Sequence, residues 1–244
     1  MNILGHSYVA THSVHGDNSL LIIGSLLPES FLFISNNPFS QEEIHEGGKK
    51  FLWFLRDTYP DKCDLALGML SHGYNKGADK FNKEIEMYAG SQREKLLNEI
   101  AECSSIDLNT AEYRLHNFLW WGVDVWILRK FPRFVEKIQR TLGGVDIGGI
   151  SRLLSEAFGK KQQATERVMK ILFREIYQPR DLTSIEGLTR IWARQAKGLP
   201  EKDRVDITKA VGVIRICVNL LKNEWKNYLE KVRVDVSKNL KVFL

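Results

Sequence analysis

Cysteines and long hydrophobic runs are both scarce in this sequence of 244 residues. The three cysteines, which lie far apart, are Cys63, Cys103 and Cys217. Without a close pair, neither a disulfide framework nor a zinc ribbon is indicated, and reduced thiols are typical of the cytoplasm. The longest apolar run, Leu20 to Leu27, is well short of the roughly 20 residues that span a bilayer, and no basic region precedes it. We therefore expect a soluble cytoplasmic protein with no transmembrane segment.

Histidine is missing from the second half of the chain, where positive charge accumulates. Residues 1–124 hold 10 basic and 17 acidic side chains, whereas residues 125–244 hold 25 basic and 13 acidic ones. All six histidines lie in the acidic half, which therefore gathers the side chains suited to metal binding or proton transfer. The chain also lacks a Gly-rich phosphate loop, a nucleophile elbow and a dinucleotide fingerprint, which disfavours nucleotide and hydride chemistry.

Alternating strand patterns are almost absent, and helix signals are frequent. A capping residue stands three positions before an acid at Ser40, Ser91 and Asn109, where it can satisfy free N–H groups at a helix start. These signals and the apolar spacing predict helices at 41–57, from Asp61 or Asp64 to His72, and at 91–103, 110–130, 132–143, 147–158, 163–177 and 184–196. Short extended pieces are expected only at 232–236 and 240–244. The predicted fold is an all-α multi-helix bundle that forms a single domain over residues 1–244.

The clearest helix signal is an apolar stripe near the end of the sequence. Its members are separated alternately by four and three residues: Ile207, Val211, Ile214, Val218, Leu221, Trp225, Tyr228 and Val232. This spacing predicts one long helix over 207–232, roughly 39 Å in length at about 1.5 Å per residue. The stripe would pack either in the core of the chain or in the interface of a homodimer.

A second strongly apolar segment, Phe118 to Leu128, is hydrophobic around nearly the whole helical circumference, which is typical of a buried helix. His116, Asn117 and Asp124 lie in or beside it. They must find partners, since a buried polar group without a hydrogen bond costs about 1–3 kcal/mol. A cation is one candidate partner.

His72 ends another apolar segment, Leu65 to Leu70, and Asp79 follows seven residues later. If the helix continued, the imidazole and the carboxylate would lie on one face. Gly73 and Gly77 argue against continuation, but a turn there would equally bring Asp79 back toward His72.

Four histidines from separate segments are candidate metal ligands that could converge: His6, His45, His72 and His116. In the alternative interpretation each is an ordinary hydrogen-bonding histidine of the core or the surface, as we expect for His12 and His15. Spacing alone does not decide between the two, because the sequence has no His-Glu-x-x-His motif and no tight His/Cys pair.

Five short motifs occur in a characteristic order: Met1 to His6, Gly24 to Glu29, the isolated His45, Ala66 to His72, and His116 to Leu119. In this order they resemble the zinc-dependent phospholipase C-like proteins, whose relatives include single-strand-specific nucleases. The first stretch also resembles acyl-carrier-protein phosphodiesterases. The resemblance covers about residues 1–128 and implies an all-α bundle that holds two or three metal ions, usually zinc, and hydrolyses phosphodiesters.

The resemblance also implies roles for individual residues. His6 matches an early metal ligand, and His45, His72 and His116 match later ones. Glu29 stands where the family usually offers a bridging or general-base carboxylate.

Three positions depart from the pattern of that family. Lys76 and Trp120 stand where carboxylates are expected four residues after two of the histidines, and Asn82 stands where a further imidazole is expected. These changes remove negative charge that would hold cations close together, and Lys76 would add a repelling charge. We therefore expect a reduced site in which Asp79 and Asp124 substitute in part, holding one metal or none.

Two functions are consistent with these observations. In the first, the chain is a metal-dependent phosphodiester hydrolase with zinc as cofactor and Glu29 orienting or deprotonating the attacking water. In the second, it is a catalytically inactive relative whose basic half binds nucleic acid or anionic lipid. The basic residues concerned are Arg129, Lys130, Arg133, Lys160, Lys161, Lys222, Lys226, Lys231 and Arg233. A solvated basic surface without a partner is the simpler alternative to the second function.

Overall fold

The computed structural model describes residues 2–34, 36–199 and 204–244, with the backbone alone for residues 29–32. It confirms the all-α fold class, because the described residues form helices and turns and contain no strand. Within these ranges, no helix is both long enough and apolar enough to cross a membrane.

The helices are defined here in chain order. They are α1 (Ile3–Ser13), α2 (Asn18–Leu32), α3 (Gln41–His45), α4 (Gly48–Thr58), α5 (Cys63–His72), α6 (Arg93–Ser104), α7 (Leu108–Lys130), α8 (Pro132–Gly143), α9 (Ile147–Phe158), α10 (Gln162–Lys170), α11 (Ile185–Ala196), α12 (Ile207–Leu220) and α13 (Trp225–Leu240). Shorter helical turns lie at Pro60–Lys62, Ala78–Phe81, Glu84–Gln92, Pro179–Asp181 and Lys241–Phe243, and α10 continues as a π-helical segment, Ile171–Ile176.

Helix α7 is the centre of the bundle. Every residue from Phe118 to Val125 is buried, which confirms the prediction of a helix inside the protein. It packs against α1, α6 and α12. Trp120 and Trp121 are among the largest fully buried side chains, and rings of this size each remove about 150–250 Å² from water. Helix α7 is therefore a major source of hydrophobic stabilisation.

Helices α2 and α5 cross at very short distance because each has a glycine at the contact. A Cβ atom on Gly24 would lie 2.0 Å from the carbonyl oxygen of Leu65, and one on Gly68 would lie 2.4 Å from that of Leu21. Any larger residue would force the helices apart. The crossing brings the backbone of α2 beside the end of α5, where a candidate metal ligand lies.

Several predicted helix starts are correct and others are displaced. Ser40 and Glu43 form the predicted capping box at the start of α3. Helix α7 is capped by Asp107, whose side chain accepts from the backbone N–H of Thr110, and not by the predicted Asn109. Helix α6 begins two residues after the predicted cap Ser91, which lies in the preceding short helical segment.

The single helix predicted over 41–57 is wrong, because the chain forms α3 and α4 with a break between them. The break falls at Glu46 and Gly47, next to Gly48, and glycines are poor helix formers. Gly48 also packs closely on Leu70 of α5, where an added Cβ would lie 2.9 Å from the Leu70 side chain. The break leaves His45 at the end of α3, turned toward the interior.

The single long helix predicted over 207–232 is also wrong, as are the extended pieces at 232–236 and 240–244. A turn over residues 221–224 separates α12 from α13, and α13 runs on to Leu240. The apolar stripe continues across the turn because its two parts have different partners: α12 packs on α6, α7 and α11, whereas α13 packs mainly on α1. From Val211 to Val232 the stripe is buried inside the chain, so it serves the core and is not exposed to a second copy.

Candidate metal centre

Four elements bring the candidate ligands together. His6 lies in α1, His45 ends α3, His72 ends α5, and Asp79 lies in the helical turn Ala78–Phe81. All four side chains are buried. Segments separated by up to 73 positions in the sequence thus meet at one place inside the bundle.

The turn after α5 returns Asp79 to His72. The backbone N–H of Gly77 donates to the carbonyl of Gly73, which closes the turn. A Cβ atom on Gly77 would lie 2.3 Å from the carbonyl carbon of His72, so the turn requires glycine at this position. Of the two arrangements considered for His72 and Asp79, the structure has the turn and not the continued helix.

Asp79 is the centre of the cluster. Its Oδ1 lies 3.4 Å from Nε2 of His6, and its Oδ2 lies 3.1 Å from Nε2 of His72. Nδ1 of His45 is 3.8 Å from the same Oδ2. The rings of His6 and His72 stack with centroids 3.7 Å apart and planes inclined by 10°. Potential ligand atoms of His6, His72 and Asp79 all lie within 4.8 Å of one another.

The orientation of His72 is fixed by the backbone of α2. Its Nδ1 lies 2.7 Å from the carbonyl oxygen of Ser25, and a carbonyl can only accept, so Nδ1 carries the hydrogen. In the neutral ring, Nε2 then presents its lone pair toward the Asp79 carboxylate at 3.1 Å. Two acceptors at this distance repel each other unless a cation lies between them. A second proton on the ring or a metal ion meets that need, and a backbone carbonyl on the far nitrogen is the usual support of a metal-binding histidine.

The donor set fits a transition metal such as zinc. Among the described residues, both ring nitrogens of His6 and His45 and Nε2 of His72 are buried without a well-formed hydrogen bond, and three of these five nitrogens lie within 4 Å of the Asp79 carboxylate. Zinc binds nitrogen and oxygen at about 2.0–2.1 Å, which sets ligand atoms about 3.3 Å apart in a tetrahedral site. The 3.1 and 3.4 Å separations agree with that spacing.

The electrostatics favour neutral rings at His6 and His45 beside an ionised Asp79. Burial lowers the pKa of His6 well below its usual value, and the charge of neighbouring His72 lowers it further. Burial likewise lowers the pKa of His45 to about 3. Burial opposes ionisation of Asp79, but the positive charge of the N-terminal ammonium group, then that of His72, and the hydrogen bonds with His6 and His72 outweigh it and hold the pKa of Asp79 well below its usual range. These are the protonation states that metal binding requires.

His116 lies near the cluster but faces a different partner. Its Nδ1 is 3.8 Å from Oε1 of Glu86, and its side chain is 24% exposed. Burial lowers the pKa of His116 to about 4. Glu86 in turn contacts Arg93 at 3.3 Å. The predicted ligand His116 therefore lines the approach to the cluster instead of belonging to its compact part.

Asp124 does not lie among the candidate ligands, which corrects the expectation that it substitutes for a missing carboxylate. Its Oδ2 accepts from the backbone N–H of Leu4 at 3.0 Å, and its Oδ1 accepts from that of Gly5 at 2.8 Å. The fully buried carboxylate of α7 thus caps the first turn of α1. The polar partner that this residue needs is a helix N-terminus.

Glu29 lies in α2, one helical turn after Ser25, and its side chain is outside the described residues. Its predicted role as general base remains a prediction.

The three positions that depart from the family pattern have different surroundings. Asn82 lines the cavity beside Asp79. The ammonium group of Lys76 lies 4.8 Å from the ring centroid of Phe243, so the expected repelling charge is directed elsewhere. Trp120 is fully buried and packs on Tyr228. Only Asn82 is therefore in a position to affect the site directly.

A cavity of about 380 Å³ opens beside the cluster, within the usual range for small-molecule sites. Asp79, His45 and His116 contribute to its wall, and aromatic side chains including Tyr74 and Trp192 form much of the rest. Arg114 adds a guanidinium group, which is suited to a phosphate or carboxylate. Sequence reasoning missed Arg114 and the carbonyl of Ser25, and a backbone carbonyl carries no signal in the residue type.

Part of the basic second half is neutralised within the chain. Three of its predicted partner-binding cations form ion pairs: Lys160 with Glu43 at 2.8 Å, Lys231 with Glu84 at 2.5 Å, and Arg233 with Glu230 at 2.5 Å. The first two pairs join the basic half to the acidic half. The difference in charge along the sequence is therefore partly balanced in the folded molecule.

This chain matches no protein-family model, no curated protein and no solved structure.

Proposed function

We propose that this protein is a metal-dependent phosphodiester hydrolase with a reduced metal site held by His6, His72 and Asp79, with His45 as the neighbouring imidazole. The observation that carries the proposal is the buried Nε2 of His72 lying 3.1 Å from the buried Asp79 carboxylate, with the other ring nitrogen held by the Ser25 carbonyl and His6 stacked on the same ring. Zinc suits this mixed nitrogen and oxygen donor set best.

Each residue has a defined task in this function. The Ser25 carbonyl orients His72, and Asp79 supplies negative charge. Because burial lowers the pKa of His6, its imidazole stays neutral and can bind a metal ion through a ring nitrogen. When bound, the metal supplies Lewis-acid stabilisation of a phosphoryl oxygen and activation of water. Glu29 remains the candidate general base for that water.

The lining of the 380 Å³ cavity is compatible with a phosphodiester substrate. Arg114 offers a planar, permanently charged group that matches two phosphoryl oxygens. His116 lines the same cavity with a neutral imidazole near Glu86, where it can accept a hydrogen bond from a hydroxyl group or water of the bound substrate. The aromatic wall excludes water and would hold an organic substituent of the phosphodiester.

Elemental analysis of tag-free protein tests the metal site. We expect metal bound stoichiometrically to the wild-type chain, and affinity weaker by at least about 10-fold in His72→Ala and Asp79→Asn. His15→Ala is the matched control, since His15 is exposed and distant from the cluster, and its metal content should equal that of the wild type. Absence of metal from the wild type would refute the site.

Hydrolysis of bis(p-nitrophenyl) phosphate with added zinc or manganese tests the reaction. We expect cleavage by the wild type and loss of about 10²–10⁴ in rate in Glu29→Gln with the metal content unchanged, as removal of a general base requires. Metal binding without cleavage of this or other phosphodiesters would leave a metal protein and refute the hydrolase.

A further inference from the structure

A second cavity lies on the other side of His45. It has a volume of about 480 Å³ and is formed between α4, the turn after α5 and the helical turn Lys241–Phe243. We call it the α4 cavity. The residues of its wall that matter here are His45, Lys49, Trp53, Lys76, Val242 and Phe243.

Two lysines give the α4 cavity positive charge. Among the described residues, no carboxylate lies within 4.0 Å of the ammonium group of Lys49 or Lys76. The one acid in the wall, Glu46, is occupied by the backbone N–H of Tyr74 at 3.1 Å and the side-chain amide of Asn75 at 2.7 Å. The lysines are therefore available to an anion from outside the chain.

His45 lies between the metal cluster and the α4 cavity. Its side chain is 1% exposed, it lines the α4 cavity, and neither ring nitrogen has a hydrogen-bond partner among the described residues. A buried polar group in this condition costs about 1–3 kcal/mol.

The remaining wall is apolar and unusually exposed. Trp53 is 51% exposed and Val242 is 73% exposed, although both are large hydrophobic side chains. Arg56 holds this arrangement by donating to the carbonyl of Phe243 and lying over the Trp53 ring at 5.3 Å. A ligand with an apolar part would cover this surface and gain hydrophobic free energy.

We propose that the α4 cavity binds an amphipathic organic anion, with its phosphate or carboxylate head group between Lys49 and Lys76 and its apolar part on Trp53 and Val242. The site is separate from the metal cluster and is divided from it by His45. Its volume lies in the usual range of about 300–1,000 Å³ for small-molecule sites. Binding at this site does not depend on hydrolysis in the other cavity.

Isothermal titration of the tag-free full chain with octyl phosphate and with octanoate, both below their micelle concentrations, tests the proposal. We expect one site per chain and binding weaker by about 10-fold or more in the Lys49→Met/Lys76→Met double variant, since charge-assisted hydrogen bonds are lost. Trp53→Ala should weaken octyl phosphate binding as well. Binding of either anion supports the proposal, and their relative affinities identify the preferred head group.

Lys50→Met is the matched control. Lys50 is adjacent in α4, but its ammonium group lies over the Phe158 ring at 5.2 Å, away from the α4 cavity, so its loss should leave the affinity unchanged. The proposal is overturned by equal affinity in the double variant, by equal binding of octyltrimethylammonium, by no binding of either anion, or by binding to anionic vesicles alone.

Discussion

A buried carboxylate can be satisfied in more than one way, and Asp124 and Asp79 illustrate two of them. The apolar surroundings of Asp124 in the sequence correctly indicated that it needs a strong partner. The residue types did not identify the partner, which is the N-terminus of α1 and comes from a segment 119 positions away. Asp79 instead faces imidazoles. A sequence indicates that a buried carboxylate requires a partner. Which group becomes that partner depends on tertiary packing.

Replacement of Asp124 by alanine should reduce the free energy of unfolding by about 2–4 kcal/mol, because two buried N–H groups lose a charged acceptor. Urea denaturation measures this change. Asp146→Ala is a suitable comparison, since Asp146 caps the exposed start of α9 and its loss should cost only about 1 kcal/mol. If Asp124→Ala removed bound metal without lowering stability, Asp124 would be a ligand and not a cap.

At the scale of the helices, prediction succeeded where clear start and stop signals bound the helix, and it failed where an apolar pattern continues across a break or where no helical periodicity marks the segment. Helices α8, α9 and α11 lie close to their predicted bounds. Helices α1 and α2 were not predicted, because their residues are apolar on most sides and lack helical periodicity. His6 lies in α1, and the Ser25 carbonyl lies in α2. The sequence therefore identified the histidines as candidate ligands but did not predict how they are arranged.

The close crossing of α2 and α5 is the element that fixes His72, and Gly68→Ala should disrupt it. The added methyl group would meet the carbonyl of Leu21 at 2.4 Å, which cannot move away as a flexible side chain could. We expect a loss of at least about 1–3 kcal/mol in the free energy of unfolding and weaker metal binding. Chemical denaturation and metal titration measure the two effects.

Gly212→Ala is the control for that substitution, since Gly212 lies within α12 and a Cβ atom there meets nothing within 4 Å. It should raise stability by about 0.5–1 kcal/mol through the better helix propensity of alanine. Equal effects of the two substitutions would show that the crossing is not tight in solution.

At the scale of the whole molecule, the packing of the bundle brings histidines that are far apart in the sequence into one cluster beside a cavity. The order of the motifs suggested which residues to consider, but only the packing of α1, α3 and α5 gives their distances. It also separates His116, which faces Glu86, from His6 and His72, which face Asp79. A sequence pattern treats these imidazoles as equal, and the fold distinguishes them by burial and by neighbour.

This clustering makes the stability of the metal-free protein sensitive to acid. The pKa values of His6 and His45 are lowered in the folded chain, chiefly by burial, with that of His45 at about 3, whereas the unfolded chain protonates its histidines near about 6.5. Below that pH the unfolded state takes up protons that the folded state does not. The free energy of unfolding should therefore fall as the pH decreases from about 6.5 to about 4, by up to about 1.4 kcal/mol per pH unit for each histidine.

Urea denaturation in EDTA at a series of pH values measures this slope. Asp79 contributes only below about pH 5, because above it the carboxyl group is ionised in both states, whereas at lower pH the unfolded state takes up a proton that the folded state, with its depressed pKa, does not. His45→Gln removes one of the histidines whose pKa is lowered by burial, which also include His6 and His116, and should make the slope shallower. A saturating divalent metal should raise stability near pH 7 by about 2.7 kcal/mol at 100 times its Kd and should lose this effect on acidification as protons compete for the ligands. A flat pH profile without metal would mean that these imidazoles are solvated in solution, which is incompatible with a buried metal centre.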